Sequence, residues 1–196
     1  AIYTNGWGNN LERSTTNFQF SSTDFTQHTK NINLVAELKS KLSNNLNNQF
    51  NASYINVHEY RDFPGTLAPF MDIGSGKIWA GTWREASIYN MKQQTFELSD
   101  NITLTSGINK FTFGTHNEFY NLTYGFINSW NGRWEYKDVA SFNADQPTRI
   151  RGAFTTDAKY PNDRTALYNN PPNPFKVALL SAYVQDEIAA GTNFKV

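Results

Sequence analysis

His116 and Glu118 are the pair whose types and spacing first suggest chemistry. Two residues apart in an extended stretch, they share one face, and an imidazole beside a carboxylate can ligate a metal. A zinc site needs three or four ligands, and this strand offers two. A solvated polar wall is the simpler reading, so no metal and no cofactor are expected. His28 and His58 belong to no ligand pattern and read as surface or wall residues. Gly74-Ser75-Gly76-Lys77 has the outline of a phosphate loop. Met71 stands where its first glycine is required, however, and Ile78 where Ser or Thr would hold Mg²⁺. The segment reads as a turn. No G-x-S-x-G elbow and no H-E-x-x-H helix occurs, and no spacing of Ser, His and Asp argues for a triad. The chain is not expected to be an enzyme.

A second group of candidates is aromatic and cationic. Trp79, Trp83, Trp130 and Trp134 fall in two long connections, with Tyr89, Tyr136, Tyr160 and Tyr168. Rings on loops can stack on sugars or anchor a peptide. They can equally pack the loops on one another or mark a membrane interface, and packing is the preferred reading. Arg149 and Arg151, with Arg133 nearby, could meet an anionic ligand; salt bridges within the loops are the plainer alternative. The candidate ligand contacts are therefore Trp79, Trp83, Trp130, Trp134, Arg149, Arg151, His116 and Glu118.

The elements that must carry these residues show period-two alternation, the mark of strands with unlike faces. Over residues 31–42 one face carries Ile32, Leu34, Ala36, Leu38 and Leu42, the other Asn31, Asn33, Glu37, Lys39 and Lys41, with Val35 the exception. After turn chemistry at Ser43-Asn44-Asn45, Phe50, Ala52 and Tyr54 continue the apolar face on a strand that runs to about Arg61. A second hairpin joins residues 95–105 to 111–119 through Ser106-Gly107-Ile108-Asn109. Pairing Leu104 with Phe111 sets Ile102 opposite Phe113 and Phe96 opposite Phe119, so register and apolar pattern agree. A last strand, Val177 to Ile188, turns at Ala190-Gly191-Thr192 and starts back through Asn193-Phe194-Lys195-Val196. Asn17-Phe18-Gln19-Phe20 reads as a strand entering from the short-turn side, and a short helix is expected from Lys137 to Asn143.

Connections alternate short and long. Turns lie near residues 43–48, 106–109 and 190–193; between them come about 62–94 and 126–176, rich in Pro, Gly, Trp and charge. Compact soluble domains seldom carry two such loops, whereas outer-membrane barrels join short periplasmic turns to long extracellular loops. The expected fold is therefore all-β: antiparallel strands of a transmembrane β-barrel, residues 1–196 forming a partial barrel domain with those two segments outside. Mean hydropathy is −0.59, and no run of about 18 apolar residues exists to make a transmembrane helix. Barrel strands leave only a weak hydropathy trace. Aromatics make up 15% of the chain, enough for rings at both interfaces or for a filled β core. Seventeen basic residues balance seventeen acidic ones, and nothing in the sequence resembles the basic stripe that neutralises a phosphate backbone, so no nucleic-acid partner is expected. With no cysteine, disulfides and thiolate metal sites are ruled out. Asp100 and Asp186 fall on the apolar face; both are expected close to the short turns, where a charge is cheap. Both chain ends read as cuts.

Three segments in order resemble TonB-dependent receptors of the Oar-like branch, often with a carboxypeptidase-regulatory-like domain. They are Phe96-Glu97-Leu98-Ser99-Asp100-Asn101-Ile102-Thr103-Leu104, then Lys110-Phe111-Thr112-Phe113-Gly114-Thr115-His116-Asn117-Glu118-Phe119, and Ser181-Ala182-Tyr183-Val184-Gln185-Asp186-Glu187. The resemblance covers about residues 30–196. It implies an outer-membrane location, part of a 22-stranded barrel and uptake of scarce ligands. It further implies outer-membrane lipid as a partner and energy from the TonB complex through an N-terminal plug that this sequence lacks. A surface lipoprotein over the loops is compatible with that plan. About seven strands cannot close such a barrel alone. Asn33, Glu37, Lys39, Glu97, His116, Glu118, Gln185 and Glu187 would line its interior. The alternative is a soluble β-sandwich that binds carbohydrate through loop aromatics; a complete eight-stranded barrel fits the strand count less well.

Overall fold

The computed structural model describes residues 1–10, 13–191 and 194–195. The chain is all-β, with 60% strand and 7% helix. In order, the elements are β1 (Ile2–Asn10), β2 (Phe18–Gln19), a 3-10 turn (Ser21–Thr23), β3 (Phe25–Lys41), β4 (Leu46–Asp62), β5 (Phe70–Ile73) and β6 (Ile78–Ala80). Then follow β7 (Tyr89–Ser106), β8 (Asn109–Phe126), β9 (Arg133–Tyr136), α1 (Val139–Asn143), β10 (Arg149–Arg151), α2 (Arg164–Asn169), β11 (Pro174–Gly191) and β12 (Phe194–Lys195).

Seven strands form one antiparallel sheet in the order β1-β3-β4-β7-β8-β11-β12. Its central members are 17 or 18 residues long, about three times the usual strand. The expected register holds: Leu104 faces Phe111, Ile102 faces Phe113 and Phe96 faces Phe119. Gly107 at φ 61 occupies the first central position of the two-residue turn, as a II′ hairpin requires. The strand beginning after residue 191 pairs back on β11; Thr192, Asn193 and Val196 lie outside the described residues.

Reading across the ladders gives the faces directly. Leu34, Tyr54, Phe96, Phe119 and Ala178 stand in one row, and Ala36, Ala52, Leu98, Asn117 and Leu180 in the next. The following rows toward the short turns hold Leu38, Phe50, Asp100, Thr115 and Ala182, then Ser40, Asn48, Ile102, Phe113 and Val184. The opposite face carries Glu37, Asn51, Ser99, His116 and Ser181, and beside them Lys39, Gln49, Asn101, Gly114 and Tyr183. Neither face is covered over these rows: Phe113 is 47% exposed and Leu180 70% on the one, and Tyr183 45% on the other. Asp100 lies in the middle of the apolar rows, further from the turn than the sequence suggests. Its charge meets a neighbouring amide, since Asn48 Nδ2 donates to it at 2.5 Å.

The buried core lies instead at the end where the long connections meet. Residues 13–24, 63–88 and 127–173 each send strands into a second, five-stranded sheet ordered β10-β9-β5-β6-β2. Parallel pairs join separate connections: β2 with β6, and β5 with β9. Phe70, Ile73, Ala86, Ile88, Tyr136 and Leu167 are buried there. The long connections are therefore organised, and β7 starts at Tyr89, inside the segment read as loop. Asn17-Phe18-Gln19-Phe20 also needs correction. It contributes β2 to this second sheet at the long-connection end, because Phe18 N–H and Phe20 N–H donate to the Lys77 and Trp79 carbonyls. The short helix appears as α1, capped by Asp138.

On the polar face the ring of Tyr183 lies over Gly114, and its hydroxyl donates to Asn101 Oδ1 at 2.6 Å. A Cβ on Gly114 would come within 2.2 Å of that ring, which is the aromatic cover of a strand glycine. We expect Gly114→Ala to destabilise the folded protein by about 1–3 kcal/mol, and Tyr183→Ala in the same chain to return part of that loss. A denaturant titration of the two single variants, Gly114→Ala and Tyr183→Ala, and of the double variant measures it. Additive losses would contradict the contact.

Candidate ligand-binding surfaces

The candidate contacts fall in two places. Trp79, Trp83, Trp130, Trp134, Arg149 and Arg151 belong to the second sheet or its flanks; His116 and Glu118 stand on the polar wall.

In the second sheet the hairpin β5–β6 turns through Gly74-Ser75-Gly76-Lys77. Gly74, Ser75 and Gly76 all adopt positive φ. The Gly76 N–H that a phosphate would need donates to Asp72 Oδ1 at 2.6 Å. This is a closed turn held by its own carboxylate. The hairpin brings Trp79 against Trp83, with ring centroids 5.6 Å apart. Phe70, 1% exposed, meets Trp83 edge-on at 5.1 Å. These two half-buried indoles thus pack on each other and on Phe70. Trp134 pairs across β9 with Met71 and Ile150. Trp130 lies in the turn before β9, half-buried. The four tryptophans do not form one platform.

Charge on this sheet is arranged as a ladder. Arg133 lies 3.1 Å from Asp72 and 3.0 Å from Glu135, and Arg151 also contacts Glu135. Arg133 and Asp72 are the best shielded, with side chains 16% and 13% exposed. Arg151 is thus already engaged by a carboxylate. Arg149 pairs with Glu135 in register but its side chain is exposed, next to exposed Ile150 and Phe154. That strand edge is the part of the cap most open to a partner.

On the polar wall His116 Nε2 and Glu118 Oε1 are 2.7 Å apart, and the Tyr120 hydroxyl donates to the same carboxylate. Beside them Ser53 donates to Glu97 at 2.9 Å, Gln49 to Glu37 at 2.7 Å, and Lys39 pairs with Glu37 at 3.1 Å. Glu97 and Glu118 face each other across β7 and β8. The wall is a surface of carboxylates, amides and hydroxyls, many of them hydrogen-bonded in local pairs, while the Asn31 and Asn33 side-chain carbonyls are buried without a partner among the described residues. Among the described residues no group of three His, Cys, Asp or Glu side chains is placed to hold a metal.

Three features escaped the sequence. Arg61 is sandwiched between the Tyr89 and Phe25 rings, at 4.0 and 4.6 Å, and donates to Gln27 and to the Glu85 carbonyl. Buried Asn90 links His58 on β4 to the Tyr168 carbonyl in α2. Asn131 donates to both the Ala68 and Thr82 carbonyls at 2.9 Å. All three tie a long connection to the wall or to another connection. No family model, no curated protein and no solved structure matches the chain.

Phe70→Ala should cost about 3–5 kcal/mol locally, seen as lost amide-exchange protection in β5, β6 and β9. Unchanged protection there would show that Phe70 does not hold the cap. The α1 cap should also respond to pH. The Ser141 N–H and hydroxyl, hydrogen-bonded with Asp138, hold its carboxyl below the ordinary aspartate range. Its folded pKa being the lower one, the cap contributes fully above the unfolded value and is lost as pH falls through the folded value. Amide exchange of Ser141 should accelerate in acid relative to intrinsic rates, and Asp138→Asn should abolish that added acceleration.

Proposed function

We propose that this chain forms part of the wall of an outer-membrane β-barrel, its three long connections on the outer side, and serves uptake of scarce ligands as TonB-dependent receptors do. The observation that carries the reading is the apolar band. On one face it runs from the row of Leu34 and Phe96 to that of Leu46, Leu104 and Phe111, and then stops. That is close to the length of about 9–11 residues with which a tilted strand crosses a bilayer. A row of rings, Tyr54, Phe96 and Phe119, ends the band on the long-connection side, as aromatic girdles do.

Two further points support it. From Pro174 to Ile188, β11 pairs only with β8 among the described residues, so one edge of a long strand offers its N–H and C=O groups to another strand. Such an edge calls for continuation of the sheet, and in lipid for closure. Several polar groups on the apolar face are bonded within the protein: Asn48 serves Asp100, Asn117 donates to Thr115, and Thr115 to the Ser181 carbonyl, while Asp186 stands exposed in the row of Leu104 and Phe111. In this reading the hydrogen-bonded wall around His116 and Glu118 lines the interior. The cap presents Arg149, Ile150 and Phe154 to external ligand or to a surface lipoprotein. Coupling to TonB rests on the resemblance of Phe96–Leu104, Lys110–Phe119 and Ser181–Glu187, and would act through a plug elsewhere in the protein. A soluble carbohydrate-binding sandwich would need a second sheet over Leu98, Phe113 and Leu180.

The full gene product should sediment with the outer membrane and need detergent for release. Leu180→Arg on the apolar face should then cost about 2–4 kcal/mol, and Gln185→Arg on the opposite face little. On a water-exposed face both changes would stay within about 0.5 kcal/mol. That result, or a folded monomer in detergent-free buffer, overturns the proposal.

A further inference from the structure

Just beyond the ring row the apolar face changes character. The next row holds Tyr3, Ile32, Asn56, Gln94, Asn121 and Lys176, and the one after it Asn5, Lys30, His58, Lys92 and Thr123. Lys30, Lys92 and Lys176 are exposed, and among the described residues none has a carboxylate at ion-pair distance. Lys30 stands 5.3 Å over the Tyr60 ring. The acidic residues of this face lie elsewhere: Asp62 beside His28, and Asp100 and Asp186 in the apolar rows toward the short turns. The edge of the band next to the rings is therefore basic.

A hollow of about 490 Å³ sits at this boundary. Phe96, Phe119 and Ala178 form its floor, with Gln94, Asn121 and Lys176 at the polar rim. The rim is ordered: Asn121 Nδ2 donates to Gln94 Oε1 at 3.0 Å, and Gln94 Nε2 to the Tyr54 hydroxyl at 3.3 Å. An apolar floor below and an unpaired ammonium above match the two halves of one molecule, an acyl chain ending in an anion. Lys176 can serve phosphate as a point charge, while an Asn121 amide hydrogen not used on Gln94 can donate to it.

We propose that this hollow seats a lipid bearing a phosphate monoester, its chain on Phe96 and Phe119 and its phosphate at Lys176, with Lys92 and Lys30 extending the positive rim. The inference rests on the barrel reading above. The test uses the full gene product and vesicles of phosphatidylcholine, alone or with phosphatidic acid. Phosphatidic acid should tighten binding. Lys176→Gln should weaken binding to the anionic vesicles by about fivefold, the worth of one lysine at a charged membrane surface, and Lys92→Gln should do the same. Neither change should alter binding to phosphatidylcholine, and Lys110→Gln, on the opposite face, should alter neither. Equal losses from Lys176→Gln and from Lys77→Gln in the cap would mean a diffuse surface field and overturn the seat. So would displacement by millimolar inorganic phosphate, or indifference to phosphatidic acid with insertion intact. Failure to partition into either vesicle would instead remove the barrel reading, and the seat with it.

Discussion

A sheet one layer thick has no interior. Away from the long connections, each side chain on the seven-stranded sheet therefore meets whatever medium lies on its own side, and period-two alternation sorts residues between two media. The ladder satisfies the backbone within the sheet, but side-chain burial must come from outside it. That single condition explains why Leu38, Leu180 and Val184 stay exposed while the backbone around them is fully extended and paired. It also explains the hydrogen-bonded chains on the polar face, where neighbouring Glu97, Glu118 and His116 must be solvated by one another, by hydroxyls and by water.

The packed core had to form elsewhere, and the three long connections supply it. Residues 13–24, 63–88 and 127–173 are separated by whole hairpins of the large sheet, so their ends emerge side by side. Parallel pairing of β5 with β9 becomes available because the β7–β8 hairpin acts as the crossover that parallel strands require. Buried Phe70 and Tyr136 and the half-buried ladder of Asp72, Arg133 and Glu135 close the interface between the second and third connections. Arg13 grips Asp24 with two bonds of 2.8 Å within the first. The cap is thus a product of the large sheet's geometry, and it organises segments whose composition alone reads as loop.

The sequence was most legible where two local rules agreed. Between Phe96 and Phe119 the alternation and the Gly107 turn each specify the same register, so single cross-strand pairs could be named. Legibility failed where the environment changes along a strand. Asn90, Lys92 and Gln94 continue β7 on the face that Phe96 and Leu98 occupy, and their polarity made the segment look like loop. β1 failed for another reason: Gly6, Gly8 and three asparagines are turn formers, and only pairing with β3 holds them extended. The second sheet consists of strands of two to four residues joined over long separations, too short to carry a period. Among the candidate contacts, the His116–Glu118 pairing follows from their spacing. The packing of Trp79 on Trp83 and the capture of Arg151 by Glu135 depend on non-local pairing that no spacing encodes.

The polarity of the large sheet also reverses along its length. On the face that carries Leu38 and Phe113 near the short turns, the same strands carry Lys30, His58 and Lys92 near the cap. On the other face Glu37, Gln49 and His116 give way to a mixed surface in which Val57, Met91, Leu122 and Phe175 stand beside Glu59 and Gln93 around a hollow of about 180 Å³. A half-buried sheet in a soluble sandwich keeps one face inward over the whole length of its strands. A wall that crosses a slab of hydrocarbon and continues beyond it must change partners at the slab's edge: the outer face turns to water or headgroups, and the inner face is free to pack on the loops. On the proposed reading, strands of 17 or 18 residues are long enough for both regimes, since about ten residues suffice for a tilted strand to cross a bilayer. The reversal accounts at once for the strand length, the basic rim above the rings and the side on which the cap assembles.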